Sequence, residues 1–266
     1  MIDRRKVNHD DHLFFKSGDT DPLVTVKACL LAGRIMMKSG AETYRVEDTM
    51  LRIAAVSGMN NSQCFVTPTG IIFSIEGLES TYFVRIHRRG TDLDKIAKVN
   101  SISRNLTDGR LTSEQSLLAL EKIEKEHTVY PSWLQILAAA FISGSFLLMF
   151  QGHWSDYIYA MIVGGSGFSA FLLLHCLTKV KFFAEFIAAV VVGGAALLFV
   201  HYGYARDLDI IIIASVMPLV PGLLITNAIR DLMAGHFFSG LSKGAEAFLT
   251  AFAIGSGVAF VFGIFI

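Results

Sequence analysis

The feature that most constrains the fold of this chain is a second half that carries almost no charge. Residues 131–266 contain 11 Lys, Arg, Asp and Glu residues, whereas residues 1–130 contain 35. The first half is long and polar enough to form a water-soluble domain, but the second half cannot cover a water-facing surface. The sequence therefore excludes a wholly soluble protein. Because the formal net charge is +0, it also argues against nucleic-acid binding, which needs a basic surface.

The second half divides at its few charges into five apolar segments, each near the roughly 20 residues that a helix needs to cross a bilayer. The predicted fold is an α-helical integral membrane protein with five transmembrane helices in residues 131–266. A cytosolic α+β domain in residues 1–130 precedes them. The predicted spans are about 133–152, 157–177, 182–204, 208–229 and 246–266.

Lys and Arg residues between the spans predict the orientation, because positive residues are retained on the cytoplasmic side. Lys179 and Lys181 lie in the second connection, and Arg230 and Lys243 lie in the fourth. Only Arg206 lies in a connection on the other side. The first thirty residues lack the apolar core of a secretory signal. We therefore expect the N-terminus in the cytosol and the C-terminus outside.

The first half shows helical spacing, then alternation with period two, then helical spacing again. This order predicts two helices, three short antiparallel strands and two more helices, ααβββαα. The expected positions are an αα-hairpin across 22–58, strands around 64–66, 71–75 and 82–86, and helices at about 92–107 and 113–126. Helix N-caps are expected at Asp21, Thr91 and Thr112, the last two from capping-box spacing.

The fourth predicted span contains Pro218 and Pro221, and Gly222 follows them. Each proline removes a main-chain hydrogen bond, so we expect the helix to break inside the bilayer. Main-chain groups freed there must bind protein, water or a ligand. A half-helix that begins near Gly222 could offer its N–H groups to a substrate carboxylate. The alternative is a proline kink packed between neighbouring helices.

Polar residues follow the break on the same predicted helix. Asn227 and Asp231 are one turn apart and share a face, and Arg230 lies beside them. With Glu246 of the fifth span they are candidates for the substrate and ion path. Arg230 would bind the substrate carboxylate and pair with Glu246, while Asp231 or Glu246 would exchange protons. The alternative is an Arg230–Asp231 ion pair at the membrane edge with no transport role.

The sequence predicts no enzyme activity, no cofactor and no metal site. It has no nucleophile elbow, phosphate-binding loop or zinc-protease motif, and its three cysteines are scattered. The segment His9-Asp10-Asp11-His12 is a polar tail that cannot enclose a metal ion in a fixed geometry. Glu185 and His175 each lie about one turn from the second connection, and we expect both to snorkel toward it.

Four segments resemble the threonine/serine exporter family, specifically its N-terminal half or its shorter split-subunit members. They are 39–47 (SGAETYRVE), 66–70 (VTPTG), 94–104 (DKIAKVNSISR) and 219–235, which contains LVPG and NAIRD. By position, the resemblance places the last segment in the substrate path and the first two in a cytosolic-domain motif. The residues of that motif are Glu42, Arg45, Glu47, Thr67, Pro68 and Thr69. A solvated helix start is the alternative for the first segment.

The resemblance implies a subunit of a secondary exporter in the bacterial cytoplasmic (inner) membrane. The expected substrates are small carboxylate-bearing metabolites of the threonine/serine type, or dicarboxylates such as succinate, moved by alternating access with an ion gradient. The expected partners besides substrate and lipid are a second small multi-spanning membrane subunit and further copies of this chain. A membrane-anchored metabolite-sensing or regulatory module is the alternative function.

Overall fold

The computed structural model describes residues 22–75, 81–87, 89–126 and 130–265, so the predicted cap at Asp21 and the segment His9–His12 lie outside the described residues. The chain divides into two compact units. The first comprises Met1–His127 and Asn227–Ser242, and the second comprises Thr128–Thr226 and Lys243–Ile266. The predicted division into two domains at residue 130 stays a prediction, and the segment Asn227–Ser242 packs with the first unit.

The first unit has the predicted element order ααβββαα. Its elements are α1 (Pro22–Lys38), α2 (Thr43–Val56), β1 (Ser62–Thr67), β2 (Gly70–Ile75), β3 (Thr81–Arg85), α3 (Leu93–Thr107) and α4 (Ser113–Lys125). The strands form an antiparallel sheet in the order β1-β2-β3. Short connections join β1 to β2 and α1 to α2, as expected for hairpins.

Helical and period-two spacing explain the core of the first unit. Val46, Met50 and Ile53 share one face of α2, and all three are buried. On β2, Ile71 and Phe73 alternate with exposed or half-buried residues and are fully buried. The two faces meet in one hydrophobic cluster, so burial of apolar surface holds the helices against one side of the sheet.

One of the two predicted capping boxes is correct. Thr112 caps α4 by accepting a hydrogen bond from the Gln115 N–H at 3.2 Å, and the Gln115 side chain accepts one from the Thr112 N–H at 3.0 Å. The prediction of Thr91 as the cap of α3 is wrong, because Asp92 accepts the hydrogen bond from the Lys95 N–H. The N–H of Asp92 donates to the Ser39 carbonyl at 3.0 Å, and this tertiary contact fixes the cap one residue later.

The second unit is helical, and two helices continue into the first unit. The remaining helices are α5 (Ser132–Met149), α6 (Tyr157–Thr178), α7 (Lys181–His201), α8 (Leu208–Val216), α9 (Gly222–Met233) and α10 (Phe237–Phe265). Among the described residues, four helices are long and apolar enough to cross a membrane, and there are five spans if α8 and α9 form one bent span. The composition therefore fits a membrane protein, while the count of five spans stays a prediction.

The predicted break in the fourth apolar segment is present. α8 ends at Val216, a 3-10 turn covers Met217–Leu219, and α9 begins at Gly222. The two helices are bent by 65° at this break. Prolines at 218 and 221 account for the break, because neither can donate the main-chain hydrogen bond of a continuous helix.

The last helix starts earlier than predicted. α10 begins at Phe237 rather than near Glu246, and it runs for 29 residues. The prediction placed Lys243 in a loop because a charge ended the apolar segment. Helical hydrogen bonds do not depend on that charge, however, and Lys243 is buried with 4% of its surface exposed.

Small residues let the helices of the second unit approach closely, as their spacing predicts. A Cβ atom on Gly164 would collide with Ser143 of α5, and one on Gly167 would collide with Val192 of α7. On α10, a Cβ atom on Gly257 would collide with the main chain of Phe186. These glycines therefore bring α5, α6, α7 and α10 together.

Candidate functional site

The connection between α1 and α2 has a fixed main-chain conformation. α1 ends at Lys38, and Gly40, two residues later, has a φ of +85° in the left-handed region that favours glycine. The Ala41 N–H then donates to the Met36 carbonyl at 3.1 Å, which closes the helix end. A Cβ atom on Gly40 would lie 2.9 Å from the Gly90 carbonyl oxygen. The sequence therefore requires glycine here for two reasons, and the Gly40 carbonyl has a defined direction.

Two polar side chains of α9 bind this connection. The Asn227 amide donates to the Gly40 carbonyl at 2.8 Å. Asp231 accepts hydrogen bonds from the N–H of Thr43 at 2.9 Å and from its hydroxyl at 2.8 Å. Thr43 is the first residue of α2, so its N–H has no partner within the helix, and a carboxylate is favourable at this positive end. Asp231, with 0% of its surface exposed, therefore caps α2 from a helix 188 residues away in sequence.

An ion pair adds to these contacts. Arg230 Nη1 lies 2.6 Å from Glu42 Oε1, and Arg45 Nη1 lies 3.3 Å from the other carboxylate oxygen, Oε2. Only 7% of the Glu42 side chain is exposed, against 55% for Arg230. We call this set the anchor cluster; it consists of Gly40, Glu42, Thr43, Asn227, Arg230 and Asp231.

The start of α10 makes a second set of contacts, with α2 and β1. α9 ends at Met233, Gly235 beyond it has a φ of +85°, and the His236 N–H donates to the Asp231 carbonyl at 2.8 Å. This turn brings His236 Nε2 to 3.7 Å from Glu47 Oε2, an ion pair when the imidazole is protonated. Glu47 Oε1 accepts from the Val66 N–H at 2.9 Å, and the Ser239 hydroxyl donates to the Val66 carbonyl at 3.3 Å.

The two glutamates of α2 differ in their electrostatics. Burial raises the pKa of Glu42, but hydrogen bonds from its own N–H and from Arg230, with the charges of Arg45 and Arg230, outweigh it and hold the pKa below its ordinary value. Burial also raises the pKa of Glu47, and there the Val66 N–H and His236 compensate only in part, so the pKa lies above its ordinary value. Glu42 therefore holds its negative charge to lower pH than an ordinary glutamate, while Glu47 takes up a proton more readily.

The break between α8 and α9 leaves main-chain donors free. The Val220 N–H donates to the Met217 carbonyl at 3.2 Å, and the Gly222 N–H donates to the Val220 carbonyl at 2.9 Å. Within the described ranges, the N–H groups of Leu223 and Leu224 have no hydrogen-bond partner. A Cβ atom on Gly222 would meet no atom within 4 Å, so the first turn of α9 is open. Its positive end can accept an anion.

The structure brings together only some of the predicted site residues. Asn227 and Asp231 bind Gly40 and Thr43, on either side of Glu42 in the sequence, and Arg230 binds Glu42 itself. Arg45 binds the same carboxylate, so two segments predicted as separate sites form one cluster. The predicted pairing of Arg230 with Glu246 is wrong, because Arg230 pairs with Glu42. Glu246 instead lies 3.4 Å from Lys181.

The turn residues of the predicted motif take no part in the anchor cluster. The Thr67 hydroxyl donates to the Gly70 carbonyl at 2.9 Å and accepts from the Gly70 N–H at 3.1 Å, which stabilises the β1–β2 turn. Pro68 is buried within that turn, and Thr69 is exposed. Pro218 lies in the 3-10 turn of the break, and Pro221 lies directly before α9.

Sequence reasoning missed three residues that make these contacts. Thr43 lies inside a segment singled out for its charges, yet its N–H and hydroxyl bind Asp231. His236 and Ser239 received no role, although a glycine at 235 signals a helix end that would direct the following residues back. The long separation along the chain hid all three contacts.

Comparison with known proteins now identifies the family. The model of the ThrE family, described as "Putative threonine/serine exporter", matches residues 27–265. The chain belongs to this family. It is 25% identical over 242 residues to "Probable succinate transporter subunit YjjP" of Escherichia coli K12, covering 87% of this chain and 91% of that protein.

A second relative is longer than this chain. The chain is 25% identical over 246 residues to "Probable threonine/serine exporter" of Mycobacterium tuberculosis H37Rv, and the match covers 88% of this chain but 46% of that protein. A protein of Klebsiella aerogenes with the same printed name as the Escherichia coli relative is 24% identical over 247 residues. No solved structure matches the chain. Membership of an exporter family and the apolar helices identify a membrane transport protein.

Proposed function

We propose that this chain is one subunit of a secondary exporter of small carboxylate-bearing metabolites in the bacterial cytoplasmic membrane. The relatives' names supply two substrate classes, threonine or serine and succinate, and all of these carry a carboxylate. The proposed orientation has the first unit in the cytosol and the C-terminus outside. Transport proceeds by alternating access driven by an ion gradient.

The open first turn of α9 carries this proposal. Within the part of the chain that the structure describes, the N–H groups of Leu223 and Leu224 have no hydrogen-bond partner, and they lie at the positive end of a 12-residue helix. Unpaired donors at membrane depth cost free energy unless a ligand or water binds them. A substrate carboxylate supplies both the charge and the acceptors that this turn lacks.

The anchor cluster changes the roles proposed for the residues after the break. Arg230 neutralises Glu42, and both oxygens of Asp231 accept hydrogen bonds from Thr43. These side chains therefore position α9 rather than contact the substrate. α9 begins at the substrate turn and continues into the anchor cluster, so a shift of the helix at one end is transmitted to α2 at the other.

A second subunit is part of the proposal. The Escherichia coli relative is named as a transporter subunit, and this chain covers less than half of the Mycobacterium tuberculosis exporter. We propose that a separate multi-spanning membrane protein supplies the remaining helices. Association of several copies of this chain is also expected.

Efflux measurements test the proposal. Cells preloaded with labelled threonine, serine or succinate should lose at least one of them faster when they express this chain with the second subunit than when they express neither. Gly222→Trp should abolish that gain because the indole fills the open first turn of α9. Gly194→Trp is the matched control, since a Cβ atom on Gly194 also meets no atom within 4 Å.

Two results would contradict the proposal. Unchanged efflux of all three compounds would favour the alternative of a membrane-anchored sensing module. Equal efflux by the Gly222→Trp and Gly194→Trp variants, at equal amounts of protein in the membrane, would show that the break between α8 and α9 does not line the substrate path.

A further inference from the structure

A second polar cluster lies in the second unit, outside the anchor cluster and the break. Lys181 begins α7, and Glu185 follows it by one turn on the same face. Lys181 Nζ lies 3.8 Å from Glu185 Oε1 and 3.4 Å from Glu246 Oε1 of α10. One lysine is therefore shared by two carboxylates from two helices.

Glu185 does not snorkel as the sequence suggested. Only 2% of its surface is exposed, because α7 and α10 pack closely just beyond it. A Cβ atom on Gly257 of α10 would collide with the Phe186 carbonyl oxygen and the Ala189 side chain. The ring centroids of Phe186 and Phe260 lie 6.0 Å apart. The Glu185 carboxyl is thus buried where α7 and α10 pack together, with Lys181 beside it.

Thr250 of α10 is the hydroxyl beside the Glu185 carboxyl. In the described part of the chain, Glu185 Oε2 and the Thr250 hydroxyl are both buried, and neither has a partner within hydrogen-bond distance. A hydroxyl can donate or accept, so Thr250 can donate to an ionised Oε2 or accept from a protonated one. A buried ionised carboxylate is costly, and a proton on Oε2 removes that charge.

Lys181 contacts both carboxylates and lies closer to Glu246 than to Glu185. The other charged or titratable groups at this end of the helices are His175 on α6, Lys179 in the α6–α7 connection and Lys243 on α10. α8, which also packs on α7, carries Asp209 in its first turn, after the far end of α7.

We propose that Glu185 is the group that binds and releases the coupling proton of this exporter. In one state Oε2 carries the proton, Glu185 is neutral and Lys181 pairs with Glu246. In the other state the proton leaves to water, Glu185 is an anion, and Lys181 is shared between the two carboxylates. This inference rests on the proposed export function and assigns the ion as a proton.

Transport in proteoliposomes that contain this chain and its second subunit tests the assignment. In the wild type, a pH gradient should drive accumulation of whichever of threonine, serine or succinate is exported, and a pH-sensitive dye should report proton movement with it. Glu185→Gln should lower gradient-driven accumulation by about tenfold or more while it keeps exchange of labelled for unlabelled substrate. Glu185→Asp should restore part of the coupling.

Asp209→Asn is the matched control, because it removes the charge of an exposed carboxylate in the first turn of α8, away from Lys181. It should keep proton coupling, since Glu185, Lys181 and Glu246 are all unchanged. Three outcomes overturn the inference: Glu185→Gln retains proton-coupled accumulation, a sodium gradient drives transport in place of a pH gradient, or a folded Glu185→Gln variant loses exchange as well.

A measurement that needs no transport separates this inference from the proposed function. Infrared difference spectra of the purified protein between acid and neutral pH should contain the C=O band of a protonated buried carboxyl, and Glu185→Gln should remove it. Absence of that band in the wild type contradicts the inference. Absence of transport in the wild type, with the band present, contradicts the proposed function instead.

Discussion

Replacing Asp231 by asparagine should release the first turn of α2. Asp231 is fully buried and accepts two hydrogen bonds from Thr43. Asparagine keeps the shape but has one acceptor oxygen and an NH₂ donor. The Thr43 hydroxyl can rotate to accept from this donor, whereas its main-chain N–H can only donate. Both hydrogen bonds can therefore re-form, from the N–H to the amide oxygen and from the NH₂ to the hydroxyl, but neither is charge-assisted any longer, and the favourable interaction of the charge with the helix end is lost.

The size of the effect follows from these two losses. Hydrogen bonds to a charged group contribute about 1.5–3 kcal/mol, against about 0.5–1.5 for neutral ones. A carboxylate at a helix N-terminus contributes about 0.3–1 kcal/mol. We expect the first turn of α2 to be destabilised by about 2 kcal/mol, which corresponds to roughly 30-fold faster amide exchange if exchange follows local opening.

Hydrogen exchange of the purified protein, read by mass spectrometry, measures this directly in peptides that cover the start of α2. The matched control is Asp48→Asn, the same change at an exposed carboxylate of α2 whose side chain is 61% exposed. The first turn of α4, which has its own capping box, should be unaffected by either change. Equal exchange in the Asp231→Asn and Asp48→Asn variants would refute the capping role.

Two further predictions concern the α1–α2 connection. Gly40→Ala should destabilise the protein by about 2–3 kcal/mol in thermal unfolding, because alanine is strained at positive φ and its Cβ would meet a main-chain oxygen. Gly109→Ala, at a φ of +71° with open space around it, should lower the free energy of unfolding by only about 1 kcal/mol. Equal destabilisation by the two substitutions would show that the close approach of Gly40 to the Gly90 carbonyl oxygen contributes nothing. The pKa of Glu42 in the folded protein lies below the ordinary 4.5, so its carboxylate stabilises the fold above that pH and loses this effect as the pH falls through the folded pKa. Glu42→Gln should therefore flatten the acid side of a stability–pH curve, and an unchanged acid side would contradict the ion pair with Arg230.

Local sequence signals predicted most of the elements correctly. The period-two alternation in residues 64–86 gave the three strands, since alternate side chains must face one core, and the prolines at 218 and 221 gave the break. The errors arose where tertiary contacts override local signals. The N–H of Asp92 binds Ser39 and moves a cap by one residue. α10 continues through Lys243, which packs in the interior instead of ending the helix at a loop.

The anchor cluster shows why a site is harder to predict than a fold. The polar residues at 227, 230 and 231 were recognisable as unusual beside an apolar segment. Their partners were not, because any buried carboxylate needs donors and the sequence contains many. The residue types alone indicate that the cluster contains ion pairs and hydrogen-bonded carboxylates. Only the folded structure shows that Arg230 pairs with Glu42 rather than with Glu246.

A charge-exchange experiment tests most directly whether the anchor cluster is needed for export. Arg230→Glu and Glu42→Arg should each reduce efflux, because each leaves like charges where the wild type has an ion pair with an N–O distance of 2.6 Å. The double variant re-forms the pair in reverse and should recover a substantial part of the lost efflux, at equal amounts of protein in the membrane. Full efflux in either single variant, or a double variant no better than the poorer single one, would contradict the account.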